Sequence, residues 1–181
     1  VLLKPLLEKI EAKKDDIFVD CTGGGGSLTK ALLAQVGPRG LVVTIDRDPV
    51  AIKRLTSLFK EEINLGTLKI IHDRFANIKT IAQDLNIIGK VTGVCADLGV
   101  SSPQIDDAQR GFSFSHHSDL DMRMDQKEKI ENAQDIVNLY SQESLTEIFR
   151  KYGEERFAKK IALNICNYRE KKKIVSTEEL V

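Results

Sequence analysis

Apolar residues in the first half of the chain fall in short β-rich runs separated by stretches of helical periodicity. The runs Ile17–Cys21, Leu41–Asp46, Thr67–Ile71 and Val91–Asp97 read as strands, being too short for helices and rich in branched side chains. Leu3–Glu11, Ser27–Gln35, Pro49–Glu62 and Asn77–Leu85 carry apolar positions at helical spacing instead. This alternation predicts right-handed βαβ crossovers and a parallel sheet wrapped by helices, an α/β fold of Rossmann-like type. The predicted strand order, 3-2-1-4, puts Asp20 and Asp97 at the ends of neighbouring strands, at the switch point where open α/β sheets bind ligands.

From Leu98 to about Asp125 the pattern turns polar, glycine-containing and irregular. A segment that long without periodicity points to function more than to connection. Beyond it the pattern is helical throughout, over Ala133–Tyr140, Leu145–Tyr152 and Glu154–Tyr168. Ser144-Leu145-Thr146-Glu147 has capping-box spacing, and Gly153 suits a left-handed helix end. The division expected is residues 1–125 as the sheet domain and residues 126–181 as an inserted all-helical domain. Ser176-Thr177-Glu178-Glu179 opens another helix just before the last residue, and the fourth strand would be a bare edge beside the ligand cleft. Both features lead us to expect further C-terminal strands missing from this chain, which reads as part of a longer protein.

Composition narrows the class. Hydrophobic residues at 41% and charged residues at 30% suit a globular domain, and no apolar run nears the roughly 20 residues that span a bilayer. Lys4, Glu8, Lys9 and Glu11 break any signal-like apolar core, so no membrane partner and a cytoplasmic location are expected. Cys21, Cys95 and Cys166 are odd in number and far apart, which fits reduced thiols. Basic and acidic residues balance at 27 each, so the whole chain is no polycation. Charge is nonetheless uneven, because Arg150 to Lys173 holds nine bases against three acids. That excess suits a phosphate-facing surface, or simply a solvated helix face.

Two loops carry the chemistry. The first strand runs into Asp20-Cys21-Thr22-Gly23-Gly24-Gly25-Gly26, which fits D-x-x-x-G-x-G through Asp20, Gly24 and Gly26. Glycine lets a nucleoside and its tail lie on bare backbone. The nicotinamide fingerprint G-x-G-x-x-G fails, because Leu28 or Thr29 stands at its third glycine. Asp46, at the end of the second strand, is placed to accept hydrogen bonds from both hydroxyls of a ribose. Asp20 and Asp97 would lie near a positive charge, which suits the sulfonium of S-adenosylmethionine. The second loop, Asp97-Leu98-Gly99-Val100-Ser101-Ser102-Pro103-Gln104, contains a serine-proline turn similar to the loop with which amino-methyltransferases hold an exocyclic amine. Orientation of that amine by backbone carbonyls of Ser101, Ser102 and Pro103 would supply much of the catalysis. Carbon-5 methylation would need a covalent cysteine beside proline, and none exists. Cys21 and Cys95 read as small core residues. His72, His116 and His117 lack metal-ligand spacing with paired cysteines, so no metal is expected.

The chain resembles the bacterial 16S rRNA cytosine-N4 methyltransferase family. The resemblance rests on Val1-Leu2-Leu3, Asp46-Arg47-Asp48-Pro49, Asp97 through Gln104, Arg110-Gly111-Phe112-Ser113-Phe114, Leu120 through Asp125 and Tyr152 through Ala158. It implies a class I methyltransferase fold, S-adenosylmethionine as cofactor, and 16S rRNA within the small ribosomal subunit as partner. It also implies cofactor contacts from the glycine loop (Asp20, Gly24, Gly25, Gly26, Ser27, Leu28) and from Asp46, Phe75, Asp97 and Gln104. Phe75 would lie on the adenine, or alternatively pack in the core. The family loop reads Asp-x-Thr-Phe-Gly-x-Gly-Gly-His-Ser, so Gly23, Ser27 and Leu28 replace its Phe, second Gly and His. The helices after Asp125 would recognise RNA. Arg110 and Arg123 are candidate RNA contacts, with internal pairing to Asp106, Asp107, Asp121 or Asp125 the alternative. Two other functions share the fold: a Rossmann-type nicotinamide oxidoreductase, and a non-catalytic relative that binds rRNA or the ribosome.

Overall fold

The computed structural model describes residues 3–115 and 117–181, so Val1, Leu2 and His116 lie outside the described residues. It divides into two compact units, Val1–Gly99 and Val100–Val181.

The first unit is the α/β layer. Strands β1 (Ile17–Asp20), β2 (Leu41–Asp46), β3 (Leu68–His72) and β4 (Gly93–Cys95) form one parallel sheet in the order β3-β2-β1-β4, as the sequence predicts. Successive residues of a strand face opposite sides of the sheet, and both sides are covered. Phe18 and Val42 point to one side, where Leu32 and Val36 of α2 (Ser27–Val36), Leu55 of α3 (Pro49–Leu58) and Phe59 join them. Leu3, Leu6, Leu7 and Ile10 of α1 (Leu3–Ile10) pack on the same cluster. Val19, Val43 and Ile45 face the other side, against Ile81 and Ala82 of α5 (Ile78–Asp84) and Ile87. Burying each such side chain contributes about 1.5–3 kcal/mol.

The long helix expected over Pro49–Glu62 is two helices. Phe59 leaves helical geometry at φ −115° and ψ 37°, packing its ring in the core, and α4 (Lys60–Leu65) begins after it. Strand β4 is shorter than expected, and Asp97 lies beyond its end.

The second unit is mainly helical. It begins with α6 (Ser102–Asp106) and a 3-10 turn (Ala108–Arg110), and continues with α7 (Ala133–Leu139), α8 (Gln142–Gly153), α9 (Ala158–Arg169) and α10 (Thr177–Leu180). Leu120, Val137, Leu145, Ala162, Ile165 and Ile174 form its core. The division of the chain falls after Gly99, where the sequence places it after Asp125. The irregular segment clusters with the helices because Leu120 enters their core and its amide donates to the Val175 carbonyl, beside the Asp119–Ser176 bridge. Two helix ends also differ from expectation. The cap of α8 is Ser141, whose Oγ accepts from the Ser144 amide at 3.1 Å. The left-handed residue ending that helix is Glu154 at φ 50°, with Gly153 still helical, because the Glu155 amide closes on the Phe149 carbonyl. Ser176 caps α10 as expected.

Candidate functional site

The glycine loop follows β1 and opens α2. Two of its four glycines are required by packing. A Cβ on Gly23 would stand 2.6 Å from Leu55 Cδ1 and 2.6 Å from Thr44 Cγ2, and one on Gly26 would stand 2.8 Å from Phe59 Cε2. The other two face open space. Gly24, at φ +47°, would meet only the Thr22 carbonyl at 3.8 Å, and Gly25 would meet nothing within 4 Å. Bare backbone at Gly24 and Gly25 is therefore a cradle that side chains would fill. Ser27 is exposed at the start of α2, whereas Leu28 turns its side chain into the core. Leu28 can offer a ligand backbone only.

Asp46, at the end of β2, ties this loop to the sheet. One carboxylate oxygen accepts from the Gly24 amide at 2.7 Å, and the other accepts from the Asp48 amide at 2.9 Å. Asp48 in turn caps α3 by accepting from the Val50 amide at 2.9 Å, with Pro49 at the first helical position. The run Asp46-Arg47-Asp48-Pro49 is thus a strand end, a loop clamp and a helix start in four residues. Each Asp46 oxygen keeps a lone pair for a ligand hydroxyl.

Asp20 is placed differently. It is 0% exposed, and its carboxylate accepts from the Thr29 hydroxyl at 2.8 Å and the Thr22 amide at 3.1 Å. Thr29 Oγ1 lies 3.0 Å from Thr44 Oγ1, extending the buried network into β2. Burial pushes the Asp20 carboxyl up from 3.8 to about 6; hydrogen bonds from Thr29 and Thr22 oppose the shift, while the Asp46 and Asp97 charges add to it. The direct cofactor contact expected of Asp20 is corrected on this point: its side chain braces the loop from within.

Beyond β4, Asp97 is exposed, and its amide donates to Thr22 Oγ1 at 2.8 Å. The Cys21 amide reaches the Cys95 carbonyl at 2.8 Å, so the glycine loop and the end of β4 are joined twice. Phe75 opens a 3-10 turn just after β3, whose last residue, His72, pairs with Asp46. Its ring is 46% exposed, not packed in the core. Thr22 stands in the glycine loop as the threonine of the family pattern, whereas Thr29 and Thr44 belong to no motif the sequence displays. Only their recurrence beside the acid-terminated strands signals them.

In the second unit the expected site residues have mostly internal roles. The serine-proline turn is wound into the start of α6. The Ser101 carbonyl accepts from the Gln104 and Ile105 amides at 2.9 and 3.2 Å, and the Pro103 carbonyl accepts from the Asp107 amide at 3.2 Å. Of the open carbonyls expected over Ser101, Ser102 and Pro103, those of Ser101 and Pro103 are therefore engaged in helical turns. Gln104 is 6% exposed; its Oε1 accepts from the Ser101 amide at 2.8 Å and its Nε2 donates to Met124 Sδ at 3.1 Å. Arg110 is 5% exposed and donates to the carbonyls of Arg123 and Met124 at 3.2 and 2.6 Å. Arg123 forks onto Asp121 through Nε and Nη2, at 3.0 and 2.7 Å, and its Nη1 donates to the Glu128 carbonyl. Burial works to raise the Asp121 carboxyl, but the hydrogen bonds and charge of Arg123 together outweigh it and hold the group below the usual carboxylate range. The expectation that Arg110 and Arg123 contact RNA is corrected accordingly: both guanidinium groups are committed to the chain itself. His117 lies 3.1 Å from Glu178, and His116 is outside the described residues.

A sheet of order 3-2-1-4 with a glycine loop after its first strand and an acid ending its second is the arrangement of the class I methyltransferase fold. The residues present fit S-adenosylmethionine, given an open backbone cradle, a carboxylate with spare lone pairs, an exposed ring and an exposed carboxylate. The chain matches the MraW methylase family over residues 1–181 and belongs to it, as its resemblance to the rRNA cytosine-N4 methyltransferases implied; S-adenosylmethionine is the cofactor of that family. Similar solved structures include a candidate rRNA-methylase from Clostridium thermocellum, 28% identical over 43% of this chain and 43% of that one at a TM-score of 0.40. Another is a SAM-dependent O-methyltransferase from Thermotoga maritima, 17% identical over 41% of this chain and 28% of that one at a TM-score of 0.38. The matched part thus spans less than half of either solved chain. Among the described residues, no helix is long and apolar enough to cross a membrane, and no group of three or more His, Cys, Asp or Glu side chains is placed to hold a metal.

Proposed function

We propose that the protein containing this chain methylates the N4 amino group of a cytosine in 16S rRNA of the small ribosomal subunit, using S-adenosylmethionine. The observation that carries the reading is the Gly24–Asp46 clamp beside open backbone at Gly25, in a chain of the MraW methylase family. When bound, the cofactor supplies an electrophilic methyl group on a sulfonium. Asp46, which keeps the Gly24 amide in place, would accept hydrogen bonds from the ribose hydroxyls, and the exposed Phe75 ring would hold the adenine. Asp97, fixed through Thr22, presents a negative charge to the cationic end of the donor.

An exocyclic amine is a weak nucleophile because its lone pair is delocalised into the ring. Acceptors for its hydrogens localise that pair and direct it along the line of displacement, where orientation is worth about 7–11 kcal/mol. With the Ser101 and Pro103 carbonyls engaged in α6, we assign this role to Asp97 and the exposed backbone of Leu98 and Gly99. Ser101, Ser102, Pro103 and Gln104 are then positioning residues that shape the chain after Gly99. Mass spectrometry of nucleosides from 16S rRNA tests the reading. Unmodified small subunits incubated with the full-length protein and S-adenosylmethionine should gain N4-methylcytidine, and the D97A variant should give less than one hundredth of the wild-type rate. Subunits that gain no methyl group, or gain one at another atom, would refute it.

A further inference from the structure

At the turn joining α8 to α9, the second unit leaves two aromatic rings in water. Tyr152 is 75% exposed and Phe157 is 61% exposed, while Ala158, next in sequence to Phe157, is buried. Each ring has a cation over it. Lys151 Nζ lies 5.4 Å from the Tyr152 centroid, and Arg156 Cζ lies 5.9 Å from that of Phe157. The backbone holding them is fixed: Glu154 is left-handed, the Glu155 amide donates to the Phe149 carbonyl at 3.1 Å, and a Glu155 carboxylate oxygen accepts from the Phe157 amide at 2.7 Å. Folding gains nothing from exposing two large rings on a rigid turn.

The charges around them select the partner. From Arg150 to Lys160 there are five bases and two acids, and one of those acids is bound within the turn. A groove of about 450 Å³ runs between α8 and α9 and meets the turn at Arg150, Lys151 and Lys159, with Glu143 and Glu147 towards its far end. An apolar protein surface docking here would have to desolvate this cluster of bases, which is costly. A polyanion whose units each offer a π face has the opposite balance, since phosphates neutralise the bases and the rings gain stacking. Bases of an A-form duplex are stacked and out of reach, so the matching polyanion is single-stranded.

We propose that the α8–α9 turn binds single-stranded RNA, with unstacked bases on Tyr152 and Phe157 and backbone phosphates at Lys151, Arg156 and Lys159. The proposal deepens the rRNA reading above and rests on it for RNA as the polymer. It also relocates the basic contact surface from Arg110 and Arg123, which face inward, to a turn that faces water.

Fluorescence anisotropy with the full-length protein and a short unstructured oligoribonucleotide tests it. Y152A and F157A should each weaken binding by about tenfold or more, whereas Y152F, which keeps the ring, should bind as wild type. K151Q and K159Q should each lower the slope of log affinity against log salt by about 0.7, as expected when one phosphate of a single strand is no longer neutralised. Melting temperature and S-adenosylmethionine affinity should stay at wild-type values in all five variants. Unchanged RNA affinity in Y152A and F157A overturns the proposal, as does a loss that Y152F shares or a loss accompanied by a fallen melting temperature. The methylation reading fails separately: a protein that binds RNA through this turn yet forms no N4-methylcytidine leaves the turn assigned and the reaction refuted.

Discussion

Asp20 and Asp46 end neighbouring strands with the same side chain, and their surroundings separate them. Buried Asp20 has its carboxyl raised from 3.8 to about 6, chiefly by desolvation. The folded protein therefore holds a proton that the unfolded chain releases, so this group's stabilising contribution is full below pH 3.8 and is lost as pH rises to about 6. The amount is about 3 kcal/mol at 1.36 kcal/mol per pH unit. Chemical denaturation of wild type and D20N across that window should show wild type losing stability relative to the variant as pH rises, and a flat difference would refute the assignment. Asp46 offers its lone pairs outward, so D46A should weaken S-adenosylmethionine by about 1.5–3 kcal/mol in calorimetry. The glycines separate in the same way. G23A pushes a methyl into Leu55 and Thr44 and should lower the melting temperature, whereas G25A meets open space and should leave stability intact while weakening the cofactor. Asp46 was legible as a strand end and Gly24 as part of a glycine run, while Asp97 lies two residues past the end of β4. Sequence spacing could not tell a partly exposed acid from a buried one, since the burial of Asp20 depends on Thr29 and Thr44, brought to it only by the fold.

At the scale of elements, the sheet was legible because strands buried on both faces leave continuous apolar runs, and the order 3-2-1-4 followed from the alternation. Boundaries were less so. Phe59 divides one helical pattern in two because its ring is worth more in the core than its backbone is in a helix, a trade that periodicity does not display. Ser101 to Asp107 looked like a loop because proline and two serines suggest a turn, yet proline also suits a first helical turn, and α6 uses it so. Of the two ties between the glycine loop and the end of β4, one is backbone to backbone, and the other runs through the Thr22 side chain, which accepts from the Asp97 amide. T22V keeps the shape and removes the acceptor. It should cost about 1 kcal/mol of stability and should weaken S-adenosylmethionine as well, because Asp97 loses its anchor. Cofactor affinity equal to wild type in T22V would show that Asp97 needs no such support.

For the molecule as a whole, burial divides by unit. The buried residues of the clusters flanking the sheet run from Phe18 to Cys95, and those of the helical cluster run from Leu120 to Ile174. The glycine loop, Asp46, Phe75 and Asp97 belong to the first unit, and the aromatic turn proposed to hold RNA belongs to the second. Leu145 is fully buried at the centre of the helical cluster. L145A removes its side chain from a packed site and should cost about 2–5 kcal/mol there. Hydrogen exchange should then quicken at amides of α7, α8 and α9, and RNA affinity should fall as the turn loses its support. S-adenosylmethionine affinity should hold, because every residue assigned to the cofactor is supported by the sheet and its own helices. If L145A weakens the cofactor as much as the RNA, the two binding functions share one cooperative core, and assigning each to its own unit is wrong.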